Sequence, residues 1–138
     1  MRLDIYISTD VLSPRSREGS YRALWVGYGD SGKKLGEDGT MGTAYGNQYG
    51  LLIMALKEAA AHINANVRPE VRICVKNGIM IQAIRNLKTW ESRDFKKRNG
   101  QQLSHAEEWR YIASRLHGLY FRVEGGSDEK KQVGNSRE

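Results

Sequence analysis

Val71-Arg72-Ile73-Cys74-Val75-Lys76-Asn77 decides how the chain is read: Val71, Ile73 and Val75 alternate with Arg72 and Cys74, and the run ends on a lysine. A period of two is the pattern of a strand with one face against a core. A helical run from Gly78 to about Asn86 follows, then a basic segment from Leu87 to Gly100 that carries Trp90. Ser104 to His117 has helical spacing, with Ser104 and Glu107 placed as a capping box. Gly118 stops that helix, and Leu119 to Val123 supplies a last strand.

Working back from Val71, Pro69 and Asn64-Ala65-Asn66 end an earlier helix. In it Leu51, Met54, Ala55, Glu58, Ala59 and His62 recur at helical intervals from Asn47 on, with Leu52, Ile53 and Leu56 widening the apolar face. Three strands precede it. Leu3, Ile5 and Ile7 alternate with Asp4, Tyr6 and Ser8; Ser20 to Tyr28 follows the Ser13-Pro14-Arg15-Ser16 turn; and a run diluted by Gly36, Gly39 and Gly42 spans Lys33 to Thr43 beyond Gly29-Asp30-Ser31-Gly32. A meander followed by helix, strand, helix and strand predicts an α/β domain, a mixed five-stranded sheet with helices packed on it. The domain is expected over residues 1–124, with 125–138, rich in Gly, Ser, Lys and Glu, as a flexible C-terminal tail.

A chain of 138 residues holds one core of ordinary size. Its single cysteine, Cys74, excludes an intramolecular disulfide and a Cys-based zinc site, and its mid-strand position reads as a buried, inert thiol. No signal segment opens the chain and no apolar run is long enough to span a bilayer, so a cytoplasmic protein with no membrane partner is expected. Lys and Arg number 22 against 16 Asp and Glu, a formal charge of +6, which favours a polyanionic partner. His62, His105 and His117 share no ligand spacing, so no metal site is expected from them. The glycines from Gly27 to Gly50 are followed by no Lys-Ser/Thr and open no dinucleotide site, so they read as turns and hairpin connections.

The strand–helix unit Val71 to Ile84, together with Gly100-Gln101-Gln102-Leu103-Ser104-His105-Ala106-Glu107-Glu108-Trp109, resembles the corresponding parts of type 1 ribonuclease H. Trp109 falls on that family's tryptophan and Glu107 on the acidic residue before it. The likeness covers about residues 3 to 124 and implies a ribonuclease H-like fold. It implies as well an acidic cluster that binds two Mg²⁺ ions to cut a phosphodiester, which needs hard oxygen ligands. The residues at the corresponding positions are Asp10, or Ser8 if the register of the first strand follows Ile5-Tyr6-Ile7; Gln48 at the start of the first helix; and Lys76 at the end of the Val71 strand. For the fourth carboxylate the chain offers only Ser127-Asp128-Glu129, and Gly125-Gly126 stands where the family's loop histidine is expected. The resemblance thus implies a degenerate active site, with no cofactor expected.

Trp90 with Arg93, Lys96, Lys97 and Arg98 resembles the basic protrusion with which bacterial members grip a hybrid duplex. Arg85, Lys88, Arg93, Lys96, Lys97 and Arg98 stand against only Glu91 and Asp94 and are candidates for phosphate contacts, with Trp90 packing on a sugar or base or else on the core. His105 is a candidate for a backbone phosphate. The expectation is therefore a ribonuclease H-like domain that binds RNA or an RNA–DNA hybrid without cutting it, of a kind associated by resemblance with bacterial mobile elements. Two alternatives stay open. One is a Mg²⁺-dependent endonuclease using Asp10 with Glu58, Asp128 or Glu129, and the other is a domain whose partner is a protein.

Overall fold

The computed structural model describes residues 1–64 and 66–125. The elements run β1 (Arg2–Thr9), β2 (Arg17–Tyr28), β3 (Lys34–Gly46), α1 (Gln48–Ala60), β4 (Glu70–Cys74), α2 (Gly78–Arg85), α3 (Leu87–Ser92), α4 (Ala106–Leu116) and β5 (Phe121–Glu124). All five strands form one sheet in the order β3-β2-β1-β4-β5. The meander pairs antiparallel, while β1–β4 and β4–β5 are parallel. The expected mixed sheet with helices packed on it is what the chain forms.

Alternation in β1 sorts its side chains onto two faces. Leu3, Ile5 and Ile7 join Val71 and Ile73 of β4 in the main core under α1. From α1, Leu51, Leu52, Ile53 and Leu56 are buried, and α4 adds Trp109, Ile112 and Leu116. Each fully buried side chain of this size contributes about 1.5–3 kcal/mol. That outweighs any difference in helix propensity along α1, so burial is what fixes this helix on the sheet.

On the opposite face of β1, Tyr6 packs with Val26 and Cys74, and Asp4 is the one buried charged side chain among the described residues. Arg2 Nε donates to Asp4 Oδ1 at 3.0 Å and Arg72 Nη2 donates to Asp4 Oδ2 at 2.9 Å. Arg72 also donates to the Tyr6 hydroxyl at 3.1 Å and to Glu124 Oε1 at 2.6 Å, so one guanidinium ties β1 to β5 across β4. Burial pushes the Tyr6 phenol up to about 12 and the Cys74 thiol up to about 11. Cys74 is the buried free thiol that its position implied.

Two glycines are there for close approach. A Cβ on Gly42 would lie 2.3 Å from the Tyr21 hydroxyl, because Tyr21 crosses β3 at that point to donate to Glu58 on α1. A Cβ on Gly19 would lie 2.2 Å from Val11, where the chain leaving β1 closes against β2. The glycines that dilute β3 therefore do not break it, and β3 runs on to Gly46 rather than stopping at Thr43.

Several expected boundaries move for physical reasons. The capping box at Ser104 and Glu107 does not form: α4 starts at Ala106, and His105 is its N-cap in a left-handed conformation with no side-chain cap. The cause is a turn in which the Ala106 amide donates to the Leu103 carbonyl, delivering the chain to α4 from a hairpin rather than from extended backbone. His62 lies beyond the end of α1, where its ring stacks on Trp25 at 4.6 Å. Leu119 belongs to the turn after α4, its amide donating to the Leu116 carbonyl, so β5 begins only at Phe121.

Candidate functional site

The β1–β4 ladder ends at Tyr6 opposite Cys74, so Ser8, Asp10 and Lys76 all lie beyond its paired residues. Asp10 lies beyond the end of β1, where its Oδ1 accepts from the Ser20 amide at 2.9 Å and its carbonyl accepts from Arg17 Nη2 at 3.1 Å. The Ser20 amide bond holds the Asp10 carboxyl below the usual carboxylate range. Asp10 thus closes the β1–β2 connection.

Gln48 is the first residue of α1, and its amide donates to the Ser13 carbonyl at 3.2 Å. Asn47 caps the helix, its Oδ1 accepting from the Gly50 amide at 2.8 Å. Lys76 is exposed just past β4, and Asn77 caps α2 in the same way, accepting from the Met80 amide at 2.8 Å. Ser8 lies near the end of β1 and Lys76 just beyond the end of β4, the two central parallel strands. A hydroxyl, a neutral amide and an ammonium occupy the positions named from the sequence, apart from Asp10.

Other carboxylates are placed elsewhere. Glu58 accepts from the Tyr21 hydroxyl and from Thr40 Oγ1, and it lies ten residues along α1 from Gln48, about 15 Å at the helical rise. Asp4 sits about 13 Å back along β1 from Ser8. Ser127, Asp128 and Glu129 lie outside the described residues. Among the described residues no three of His, Cys, Asp or Glu converge to hold a metal ion.

The basic segment is divided by the fold. Lys96 and Gln102 pair in a short antiparallel bridge, and the Lys97 amide donates to the Gln101 carbonyl at 2.7 Å, so Lys96, Lys97 and Arg98 ride on a hairpin. Asp94 and Phe95, both left-handed, turn the chain into it, and Phe95 is buried beneath. Arg110 of α4 braces the base, with Nη2 donating to the Asp94 carbonyl at 3.2 Å and to Gln102 Oε1 at 3.1 Å. Lys96, Lys97 and Arg98 are all exposed, and none takes part in an ion pair among the described residues. Arg93 is exposed beside the hairpin. Arg85 and Lys88 instead line a groove along β5 with Phe121, over whose ring Lys88 Nζ sits at 5.4 Å.

Trp90 is half-buried, edge-on to Trp109 with centroids 5.8 Å apart. His105 is edge-on to Tyr49 at 5.7 Å, against the first turn of α1. His117 lies at the end of α4 with Nδ1 3.9 Å from Glu91, so the three histidines stand in three separate places. Sequence reading missed the brace at Arg110. It missed also an open cleft of about 630 Å³ between the start of α1 and α2–α3, lined by Tyr49, Asn77, Ile79, Gln82, Asn86 and Trp90 among others. The signal was present, since residues 79, 82, 83 and 86 recur at the spacing of one helix face.

No protein-family model matches the chain, and no curated protein matches it in sequence. Solved structures do match. A foamy viral protease–reverse transcriptase in complex with dsDNA is similar with a TM-score of 0.65 at 15% identity, over 96% of this chain and 85% of that one. LC9-RNase H1, a type 1 RNase H with the type 2 active-site motif, also gives 0.65 at 15%, over 90% of this chain and 63% of that one. The N-terminal RNase H domain of Rv2228c from Mycobacterium tuberculosis gives 0.60 at 8%, over 99% and 95%. The chain has a ribonuclease H-like fold.

Proposed function

We propose that this domain binds nucleic acid, RNA or an RNA–DNA hybrid, through its basic hairpin, and that its two-metal site has been lost. The observation that carries the binding is the hairpin itself: Lys96, Lys97 and Arg98 are exposed, unneutralised by described carboxylates, and held out by a braced turn. Cations in that state keep their full attraction for phosphate and release counterions on binding. A foamy viral protease–reverse transcriptase, similar to this chain over 18% of its own length, was solved in complex with an RNA/DNA hybrid, which supports the class of partner.

Loss of the metal site rests on donor chemistry. Two Mg²⁺ ions need several carboxylate oxygens in a small space to offset their mutual repulsion. Ser8 and Gln48 offer neutral oxygens, Lys76 adds positive charge, and Asp10 spends an oxygen on the Ser20 amide. These residues do not fit a metal pair.

The test is titration of labelled RNA–DNA hybrid, duplex RNA and single-stranded RNA between 50 and 200 mM salt, comparing the wild type with a Lys96→Ala, Lys97→Ala, Arg98→Ala variant. Three lost phosphate contacts lower the slope of log K against log salt by about 2 on a single strand and nearly 3 on a duplex. Over that salt range wild-type affinity then falls roughly 20- to 40-fold more than that of the variant. An unchanged slope would remove the hairpin from the interface. Cleavage that depends on Mg²⁺ in the same samples would restore a nuclease, and no binding by the wild type would turn the search to a protein partner.

A further inference from the structure

The cleft between α1 and α2–α3 has a chemistry unlike that of the basic hairpin. Among the described residues no charged side chain lines it. Its walls are the rings of Tyr49 and Trp90, and both are fixed through one buried residue: Trp109 Nε1 donates to the Tyr49 hydroxyl at 3.2 Å, and Trp109 is edge-on to Trp90. Trp109 itself is fully buried, so the aromatic walls are set before any ligand arrives.

The rim carries three carboxamides. Asn77 uses its Oδ1 as the α2 cap, which leaves its Nδ2 to donate elsewhere. Gln82 and Asn86 are exposed, four residues apart on one helix face, and neither side chain bonds to another described residue. Aromatic walls with neutral groups that both donate and accept, and no cation, suit a planar heterocycle rather than a phosphate. A nucleobase released from pairing is such a ligand: its face stacks on aromatic rings and its edge presents adjacent donors and acceptors.

We propose that this cleft receives one unpaired base of the bound strand, stacked against Trp90 and Tyr49 and read at its edge by Gln82 and Asn86. Adenine is the best match, because its amino group and ring nitrogen pair with the two ends of one carboxamide. This rests on the nucleic-acid reading above and narrows its substrate from a fully paired duplex to a strand with a splayed or single-stranded nucleotide.

The full chain is titrated with AMP, UMP and ribose 5-phosphate and followed by the side-chain NH₂ resonances of Asn77, Gln82 and Asn86. AMP is expected to shift all three resonances with saturation, UMP to bind more weakly, and ribose 5-phosphate to leave them in place. A Gln82→Ala, Asn86→Ala variant, altered only at exposed positions, loses roughly tenfold or more in AMP affinity. It keeps the wild-type salt slope on longer RNA, which the hairpin variant does not. Gln82→Ala alone gives a smaller loss in the same direction. The proposal falls if ribose 5-phosphate shifts these resonances as AMP does, or if the double variant binds AMP as tightly as wild type. Salt-dependent binding that survives such a result would leave the hairpin reading standing. If no RNA binds either, both readings fail together.

Discussion

Replacing Asp4 with alanine tests whether the polar bridge on the face of β1 away from α1 holds the central strands together. The side chain is 1% exposed and bonded to two arginines, and Arg72, with a side chain 12% exposed, loses its innermost partner when Asp4 goes. Removing one member of a buried ion pair costs about 3–5 kcal/mol, because the remaining charge is left desolvated. Arg72 keeps Glu124 Oε1 at 2.6 Å and the Tyr6 hydroxyl at 3.1 Å, and Arg2 is exposed enough to turn to water. The expected loss therefore lies at or just below the low end, about 2–3 kcal/mol from a total that is about 5–15 kcal/mol for a domain of this kind. Urea unfolding followed by circular dichroism should show a midpoint lower by about 1–2 M with the slope m unchanged. An Asp4→Leu, Arg72→Met pair that removes both charges should recover much of the loss, since an apolar pair of similar volume often replaces a buried ion pair without penalty. A loss under about 1 kcal/mol for Asp4→Ala would refute the reasoning, since a lone neutral hydrogen bond is worth that much.

The tyrosines give a pH prediction. Burial, with Asp4 beside Tyr6 and with Glu58 accepting from Tyr21, raises both phenols from 10.0 to about 12. A folded value above the unfolded one means that the stabilisation is complete below pH 10 and is lost as pH rises through 10 to 12. Of seven tyrosines, at least these two should ionise late or only on unfolding in a phenolate absorbance titration; a single step near pH 10 in the folded protein would refute this. Gly19→Ala places a methyl 2.2 Å from Val11 and 2.9 Å from Asp10 Oδ1 and should cost about 1–3 kcal/mol. Gly36→Ala meets nothing within 4 Å and should leave the melting temperature unchanged or slightly higher.

The sheet was legible because its signals are local. Alternation at Leu3, Ile5 and Ile7 and at Val71, Ile73 and Val75 gave the two central strands, and the change of period at Asn47 gave α1. What escaped the sequence depends on partners distant in the chain. The α4 cap could not be read from Ser104 and Glu107, because the hairpin bonds from Phe95 to Leu103 dictate how the chain arrives. Likewise the pairing of β1 with β4 joins residues 68 positions apart, which no local pattern discloses. The basic segment reads as one block in sequence, yet α2 and α3 divide it, sending Arg85 and Lys88 towards β5 while Lys96, Lys97 and Arg98 go to the hairpin. Trp90 carried two readings in sequence, core or ligand; in the fold it packs edge-on to Trp109 and also lines the cleft.

The end of the sheet where β1 and β4 finish is held by backbone bonds and helix caps. The Val75 amide donates to the Glu124 carbonyl at 3.0 Å, fixing the exit of β4 against β5. Asn77 and Asn47 cap α2 and α1, and Asn47 Nδ2 reaches the Pro14 carbonyl at 3.3 Å, tying α1 to the loop after β1. Each of these uses backbone groups or a helix cap. Bonds of this kind come from the backbone and the caps, so a fold can keep them while the sites on its surface differ. The same caps that hold this end also bound the cleft, since Asn77 both starts α2 and contributes its Nδ2 to the rim.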